Sequence, residues 1–317
     1  MKATQGLPEQ LGPAFATREA RRAGVSRRAV DHRSLPRPFR GSRLRAAPAP
    51  EAEDGPSRGE HLLLMRALHS VLPPHAFFCG PSAAVLWDMP VPRATLGSIH
   101  VGVPFPATPP RRAGIAGRRF RPKVIRTAEV HGLRTLDAAG AWASLGKHLV
   151  LDDLVAAADA LLWIPRNPGG FHPELEADPV CTPADLRAAE DRGQWLGAVK
   201  VREALELART GSRSHPETLL RLRLAEAGLP EPELNADIVE DGRWLANGDL
   251  VFRAQRVCVE YHGAHHRSAE QFQADLDRSH RLRQHGWRVV ELTSLHVLQQ
   301  PHLGVHRVRD ALIAGGW

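Results

Sequence analysis

The chain has 317 residues, 43% hydrophobic and 24% charged, with 42 Lys/Arg against 35 Asp/Glu for a formal net charge of +7. That length exceeds one ordinary core and suits two or three domains of about 100 to 150 residues each. The composition excludes a wholly disordered chain, and no apolar run reaches the roughly 18 residues of a membrane span, so no membrane partner is expected. No short apolar stretch follows positive charge at the N-terminus and ends in a cleavage site, which makes the cytoplasm the expected compartment. Cys79, Cys181 and Cys258 are odd in number, far apart and outside any C-x-x-C pair. They argue against a disulfide framework and a thiolate zinc site, and read as buried, inert thiols.

Residues 1–48 hold eleven Lys/Arg against three Asp/Glu, residues 49–210 eighteen of each, and residues 211–317 thirteen against fourteen. By segment, the positive excess lies at the N-terminus. A flexible tail over 1–14 leads into a candidate unit at 15–47. There Thr17 is positioned to cap a helix through Ala23, Gly24 to end it in a left-handed turn, and Ser26 to cap a second helix. Helix, Gly-containing turn, helix is the helix-turn-helix pattern, and the second helix would carry Arg27, Arg28 and Arg33. Their guanidiniums suit phosphates and guanine edges, so DNA is the candidate partner, with a solvated basic arm as the alternative.

Residues 48–58 are rich in Ala, Pro and acidic residues and read as a linker. From 59 to 210 the pattern is that of a mixed α/β middle domain. Leu62 to Leu72 and Leu151 to Trp163 repeat as amphipathic helices, and Ile99 to Val103 alternates like a strand. Pro81-Ser82 after Cys79-Gly80 reads as a simple helix start, since one Gly is a poor phosphate cradle. Trp87, Trp142, Trp163 and Trp195 fall in apolar segments and read as core. A helix from about Leu196 to Arg209 runs into the polar break Thr210-Gly211-Ser212, the second seam.

From 211 to 317 the order is helix, three or four strands, helix, strand. Ser214 caps a helix that stops at Gly228, and Asp241-Gly242 is a strong hairpin signal between Asn235–Glu240 and Arg243–Ala246. Asp249 to Arg253 and Arg256 to Tyr261 read as two further strands. Ser268 to His285, with Gln271 in the capping-box position, reads as a helix, and Trp287 to Leu292 as the last strand. If Ala254-Gln255 turns the chain, Val251 faces Cys258 and Asp249 faces Glu260, with Cβ atoms roughly 5 Å apart.

Two like charges that close are destabilising unless a cation, a proton or an Arg neutralises them. A hard divalent ion, Mg²⁺ or Mn²⁺, answers this, and such an ion polarises a phosphodiester. His262 falls on the same face, and His265 and His266 follow as candidate proton carriers. Arg278, Arg281 and Arg288 are candidate phosphate contacts. Other readings stand beside these: Glu217, three after Ser214, is explained as a capping-box residue, Asp249 as the end of a turn at Asn247-Gly248, and the histidines as a polar loop.

Several local patterns recur as a set: Ser214-His215-Pro216-Glu217-Thr218, Gly248-Asp249-Leu250, Val259-Glu260-Tyr261-His262-Gly263 with His266, Asp275/Asp277-Arg278, and Gly286-Trp287-Arg288-Val289-Val290. On these residues 211–317 resembles the DUF559 family of endonuclease-like domains, related to very-short-patch mismatch repair endonucleases and the PD-(D/E)XK, restriction-endonuclease-like superfamily. The resemblance implies an αβββαβ core and a Mg²⁺-dependent deoxyribonuclease. It implies Asp249 and Glu260 as metal ligands, Glu217 as an auxiliary acid, and His262 and His266 as histidines near the scissile phosphate. Where the superfamily pattern has Lys two residues after the Glu, and DUF559-like domains often Asp, this chain has His262. The N-terminal two-thirds resemble AbiEi-type antitoxins through Phe15-Ala16-Thr17-Arg18-Glu19-Ala20 and Ala23-Gly24-Val25-Ser26-Arg27. That resemblance implies the alternative, a non-catalytic DNA-binding regulator with a toxin partner or a homodimer.

Overall fold

The computed structural model describes residues 7–47, 55–164, 178–193, 195–263 and 269–317, without the side chains of 269–272, 274 and 275. His265, His266, the Ser268/Gln271 cap, the Asp275 side chain, residues 1–6 of the expected tail and 48–54 of the expected linker lie outside the described residues. The chain is mixed α+β and divides into two compact units, Met1–Leu149 with Asp185–Val201, and Val150–Ala184 with Arg202–Trp317. Among the described residues no helix is long and apolar enough to cross a membrane.

The first unit opens with β1 (Ala14–Ala16), α1 (Thr17–Arg22), α2 (Arg27–Val30) and β2 (Ser42–Leu44). Gly24, at φ +82°, makes the expected turn between the helices, and Phe15, Ala20, Val30 and Leu35 close a small core beneath them. Three details differ from the sequence expectation. Thr17 is the first helical residue rather than the cap; the cap is Ala16, whose N–H donates to Glu19 Oε2 at 3.0 Å. A strand pair, β1 antiparallel to β2, brackets the helices. The second helix is only four residues long, so Arg33 falls beyond it. It ends there because buried Arg43 donates to Val30 O at 2.8 Å and pairs with Asp31 at 2.7 Å, drawing off the carbonyl that another turn would use.

The unit continues with α3 (Arg58–His69), β3 (Phe77–Phe78), α4 (Gly80–Leu86), β4 (Ile99–Pro104), β5 (Ile115–Phe120), β6 (Thr127–Val130), β7 (Leu133–Leu136) and α5 (Ala138–Ala143). The five strands form one sheet in the order β5-β4-β3-β7-β6. Met65 and Leu68 of α3, Phe78, Ile99, Val101 and Val103 make a continuous core, each large aliphatic side chain contributing about 1.5–3 kcal/mol by leaving water. Gly102 is required where β4 passes the aromatic rings: a Cβ there would lie 2.3 Å from Phe77 Cε2. Trp142 is fully buried and Trp195 nearly so.

After α6 (Leu151–Leu162), α7 (Pro183–Asp191) and α8 (Ala198–Leu207), the second unit runs α9 (His215–Glu226), β8 (Glu233–Glu240), β9 (Arg243–Phe252), β10 (Val257–His262), α10 (Ala269–Gln284), β11 (Arg288–Thr293) and α11 (Pro301–Ala314). From α9 to β11 the order is αβββαβ. The sheet order is β11-β10-β9-β8, with β10 and β11 parallel and the other neighbours antiparallel.

The period-2 alternation of β9 and β10 separates two cores. Leu250, Phe252, Val257 and Val259 pack with Leu220 and Leu224 of α9 and Val308 and Leu312 of α11. Val251 and Cys258 pack on the other face with Leu282 of α10 and Trp287. Asp241 and Gly242, both at positive φ, make the expected hairpin turn. Arg243–Ala246 and Asp249–Arg253, read as separate strands from sequence, belong to one strand. Asn247 holds it across the expected break by donating Nδ2 to Asn235 O at 2.9 Å and Asp237 Oδ1 at 3.1 Å.

The helix α6 belongs to this unit and packs on α9. Asp159, 1% exposed, meets Arg221 at 2.9 Å and accepts from the Thr218 hydroxyl at 2.8 Å and the Arg209 N–H at 2.7 Å. Asp153 meets His215 Nε2 at 2.8 Å, and Asp152 meets Arg223 at 2.5 Å.

Candidate active site

The register between β9 and β10 pairs Phe252 with Val257, Val251 with Cys258 and Leu250 with Val259. The pairing ends there; Asp249 and Glu260 are the next residues of the two strands, near enough for the Glu260 charge to act on Asp249. Glu260 alternates with Cys258 and so belongs to the sheet face that α10 covers, and the charge of Arg278 from that helix also acts on Asp249. The turn that fixes this register is four residues long, Arg253 to Arg256, closed by the Arg256 N–H on Arg253 O at 3.1 Å with Arg256 at φ +51°.

Glu260 is buried in the strand; Arg278 of α10 reaches its Oε2 at 3.0 Å, and the Cys258 thiol lies 3.4 Å from its Oε1. Asp249 accepts the Tyr261 N–H at Oδ2, 2.7 Å away. Burial pushes the Asp249 carboxyl well above the usual carboxylate range, and repulsion from Glu260 and Glu217 adds to it against the opposing pull of the Tyr261 N–H and Arg278. Gly248 leaves the space this arrangement needs: a Cβ would lie 2.5 Å from Cys258 Sγ, 2.8 Å from Val251 Cγ2 and 3.8 Å from Glu260 Oε1.

Glu217 is near enough to act on Asp249, yet its own oxygens are occupied. Oε2 accepts the Arg213 N–H and Asn235 Nδ2, each at 2.8 Å, and Oε1 accepts the Ser214 hydroxyl at 2.8 Å. It closes the start of α9, as a capping residue does. Asn235, at φ +45° in β8, ties this carboxylate to the sheet and also donates to Gly211 O at 2.7 Å.

His262 shares the face of Glu260, and its Nε2 is 3.9 Å from Glu291 Oε2. Glu291, which sequence reasoning did not single out, is paired in register with Glu260 across the parallel strands. Asp249, Glu260 and Glu291 therefore stand on three neighbouring strands, and Glu291 also meets Arg283 at 3.1 Å and accepts from Ser279 at 3.4 Å. Arg278 and Arg281, three apart on α10, share one helical face, with a buried Arg281 Nε that has no hydrogen-bond partner among the described residues. Arg288 is not brought to this site: it pairs with Val257, whose side chain lies on the opposite face. Arg27, Arg28 and Arg33 are exposed in the first unit, Arg27 in an ion pair with Asp31 at 3.6 Å.

Cys79, Cys181 and Cys258 are all buried, as expected. Among the described residues no group of three or more His, Cys, Asp or Glu side chains is arranged to hold a metal ion. Two neighbouring hard-oxygen carboxylates do suit Mg²⁺ or Mn²⁺, since Mg²⁺ is commonly held by one or two carboxylates with water and substrate oxygens completing its shell. The chain matches no family model, no curated protein and no solved structure.

Proposed function

We propose that the second unit hydrolyses phosphodiester bonds in DNA, with Asp249 and Glu260 holding a divalent ion, Mg²⁺ or Mn²⁺. The observation that carries this reading is the closeness of two acids on the adjacent strands β9 and β10, where burial and repulsion from Glu260 push Asp249 toward its protonated form. A cation between them relieves both costs. The αβββαβ order and the parallel pairing of β10 with β11 support a restriction-endonuclease-like core.

When bound, the ion supplies Lewis-acid polarisation of the phosphate and lowers the pKa of an attacking water. The chain's own residues do the rest. The Tyr261 N–H fixes the Asp249 carboxylate, Arg278 fixes Glu260, and Arg278 and Arg281 offer guanidinium donors to phosphate oxygens on the same face. His262 Nε2, beside Glu291, is the proton-carrying atom. Glu217 acts as a positioning residue through Asn235. Arg27, Arg28 and Arg33 contribute cations that hold DNA, and a DNA substrate implies a cytoplasmic protein.

The second reading is a non-catalytic DNA-binding regulator of the antitoxin kind, with a toxin partner or a homodimer. It is favoured by His262 in place of the superfamily's Lys and by Glu260 already being bridged to Arg278. Nicking of supercoiled plasmid in Mg²⁺ or Mn²⁺ separates the two. The nuclease reading expects cutting by the wild type that Asp249→Ala and Glu260→Ala abolish. Equal cutting by all three would remove the site; no cutting by any, with DNA binding retained, would favour the regulator.

A further inference from the structure

The charge totals conceal a second basic region. Residues 89–128 contain eight Lys/Arg and no Asp/Glu, and seven of the eight fall between Arg111 and Arg126. They surround β5, the terminal strand of the five-stranded sheet. Arg111, Arg112, Arg119, Arg121, Lys123 and Arg126 are exposed. Arg118, Arg119, Arg121, Lys123, Phe120 and Trp195 line a groove of about 170 Å³. The aromatic residues give the groove a fixed floor: Phe120 packs against Phe77 with ring centroids 5.5 Å apart and against Trp195 at 6.4 Å, and the Arg118 guanidinium lies 4.5 Å from the Phe120 centroid.

Phe105 stands at the edge of the same surface. Its N–H donates to Phe120 O at 2.8 Å, which fixes it beside the basic strand, and yet the residue is 61% exposed. Arg119 is drawn to the same place, donating Nε to Ala107 O at 3.0 Å. An exposed aromatic residue beside a strand rich in Arg, with no Asp or Glu between residues 89 and 128, has no role in the core. It matches a polyanion that also presents flat apolar faces.

The geometry points to this surface as a binding site for single-stranded nucleic acid, with Arg119, Arg121 and Lys123 on the phosphates and Phe105 stacking on a base. Single strands are favoured over a duplex because only unpaired bases offer their faces to an aromatic ring. The site belongs to the first unit and does not depend on the acidic pair of the second.

The test is fluorescence anisotropy of the full chain with a labelled 20-nucleotide oligo-dT, in EDTA so that no metal-dependent cutting enters. Saturable binding is expected, weakening linearly in log–log form with salt at a slope of about −0.7 per phosphate neutralised. Arg119→Gln/Arg121→Gln/Lys123→Gln should reduce that slope by about two. Phe105→Ala, which changes no charge, should leave the slope alone and weaken binding roughly five- to hundredfold, the effect of one stacked base. Unchanged melting temperatures check the fold of both proteins. The inference is overturned if Phe105→Ala binds like the wild type, if a duplex of equal length competes as well as the single strand, or if anionic phosphatidylserine vesicles are bound and the oligonucleotide is not.

Discussion

The Tyr261 N–H donates to Asp249 Oδ2 at 2.7 Å, so the strand that carries Glu260 also holds the neighbouring carboxylate. Two acids are thereby kept together although burial and repulsion disfavour charging Asp249. The pH consequence follows from linkage. The unfolded chain titrates Asp249 near its ordinary value, about 3.9, and the folded chain at a higher pH. Between those values the native state holds a proton that the unfolded state lacks, so stability falls as pH rises through the window and the cost is complete above it. Asn at this position keeps an acceptor for the Tyr261 N–H and removes the charge. Asp249→Asn should therefore raise the melting temperature in EDTA at pH 8, with a gain that shrinks toward pH 4. Added Mg²⁺ should raise the melting temperature of the wild type alone.

The Asp159–Arg221 pair between α6 and α9 is almost fully enclosed, at 1% and 4% side-chain exposure. Removing one partner leaves the other charge buried and uncompensated. Asp159→Ala should cost about 3–5 kcal/mol in urea unfolding. Thr218→Val, which removes the hydroxyl bonded both to this carboxylate at 2.8 Å and to Ser212 Oγ at 2.7 Å, should cost about 1–3 kcal/mol.

Gly248→Ala forces a methyl to within 2.5 Å of Cys258 Sγ. Overpacking of this kind costs about 1–3 kcal/mol. Because the same methyl also points toward Glu260 Oε1, plasmid nicking should fall further than stability does. Combining it with Cys258→Ala should restore part of both, measured as a double-mutant cycle.

Glu217→Gln distinguishes a positioning acid from a metal ligand. Glu217 accepts from Arg213, Ser214 and Asn235, and the amide replaces an acceptor oxygen with a donor. A loss of about 1–3 kcal/mol in stability is expected, with nicking reduced through kcat but the Mg²⁺ concentration at half-maximal rate unchanged. A large rise in that concentration would instead make Glu217 a ligand.

The β9–β10 register was legible in the sequence because apolar alternation on both strands admits only one pairing that buries Leu250, Phe252, Val257 and Val259 together. The Asp241-Gly242 hairpin was legible because that turn demands two positive-φ residues. Asn247-Gly248 misled for a related reason: it has turn chemistry, but Asn247 spends its amide on β8 and Gly248 is needed for clearance beside Cys258. Glu291 was invisible because parallel pairing between β10 and β11 is set by the crossover through α10, not by any local pattern. The basic surface at β5 was hidden by summing charge over a segment whose acids lie elsewhere.

The central claim is that Asp249 and Glu260 jointly hold a divalent ion, and titration of Mn²⁺ followed by electron paramagnetic resonance of the free ion tests it most directly. The account predicts a site in the wild type that either Asp249→Ala or Glu260→Ala abolishes, with both variants folded. Equal Mn²⁺ binding by all three proteins, or none by the wild type at millimolar Mn²⁺ in the presence of DNA, would contradict it.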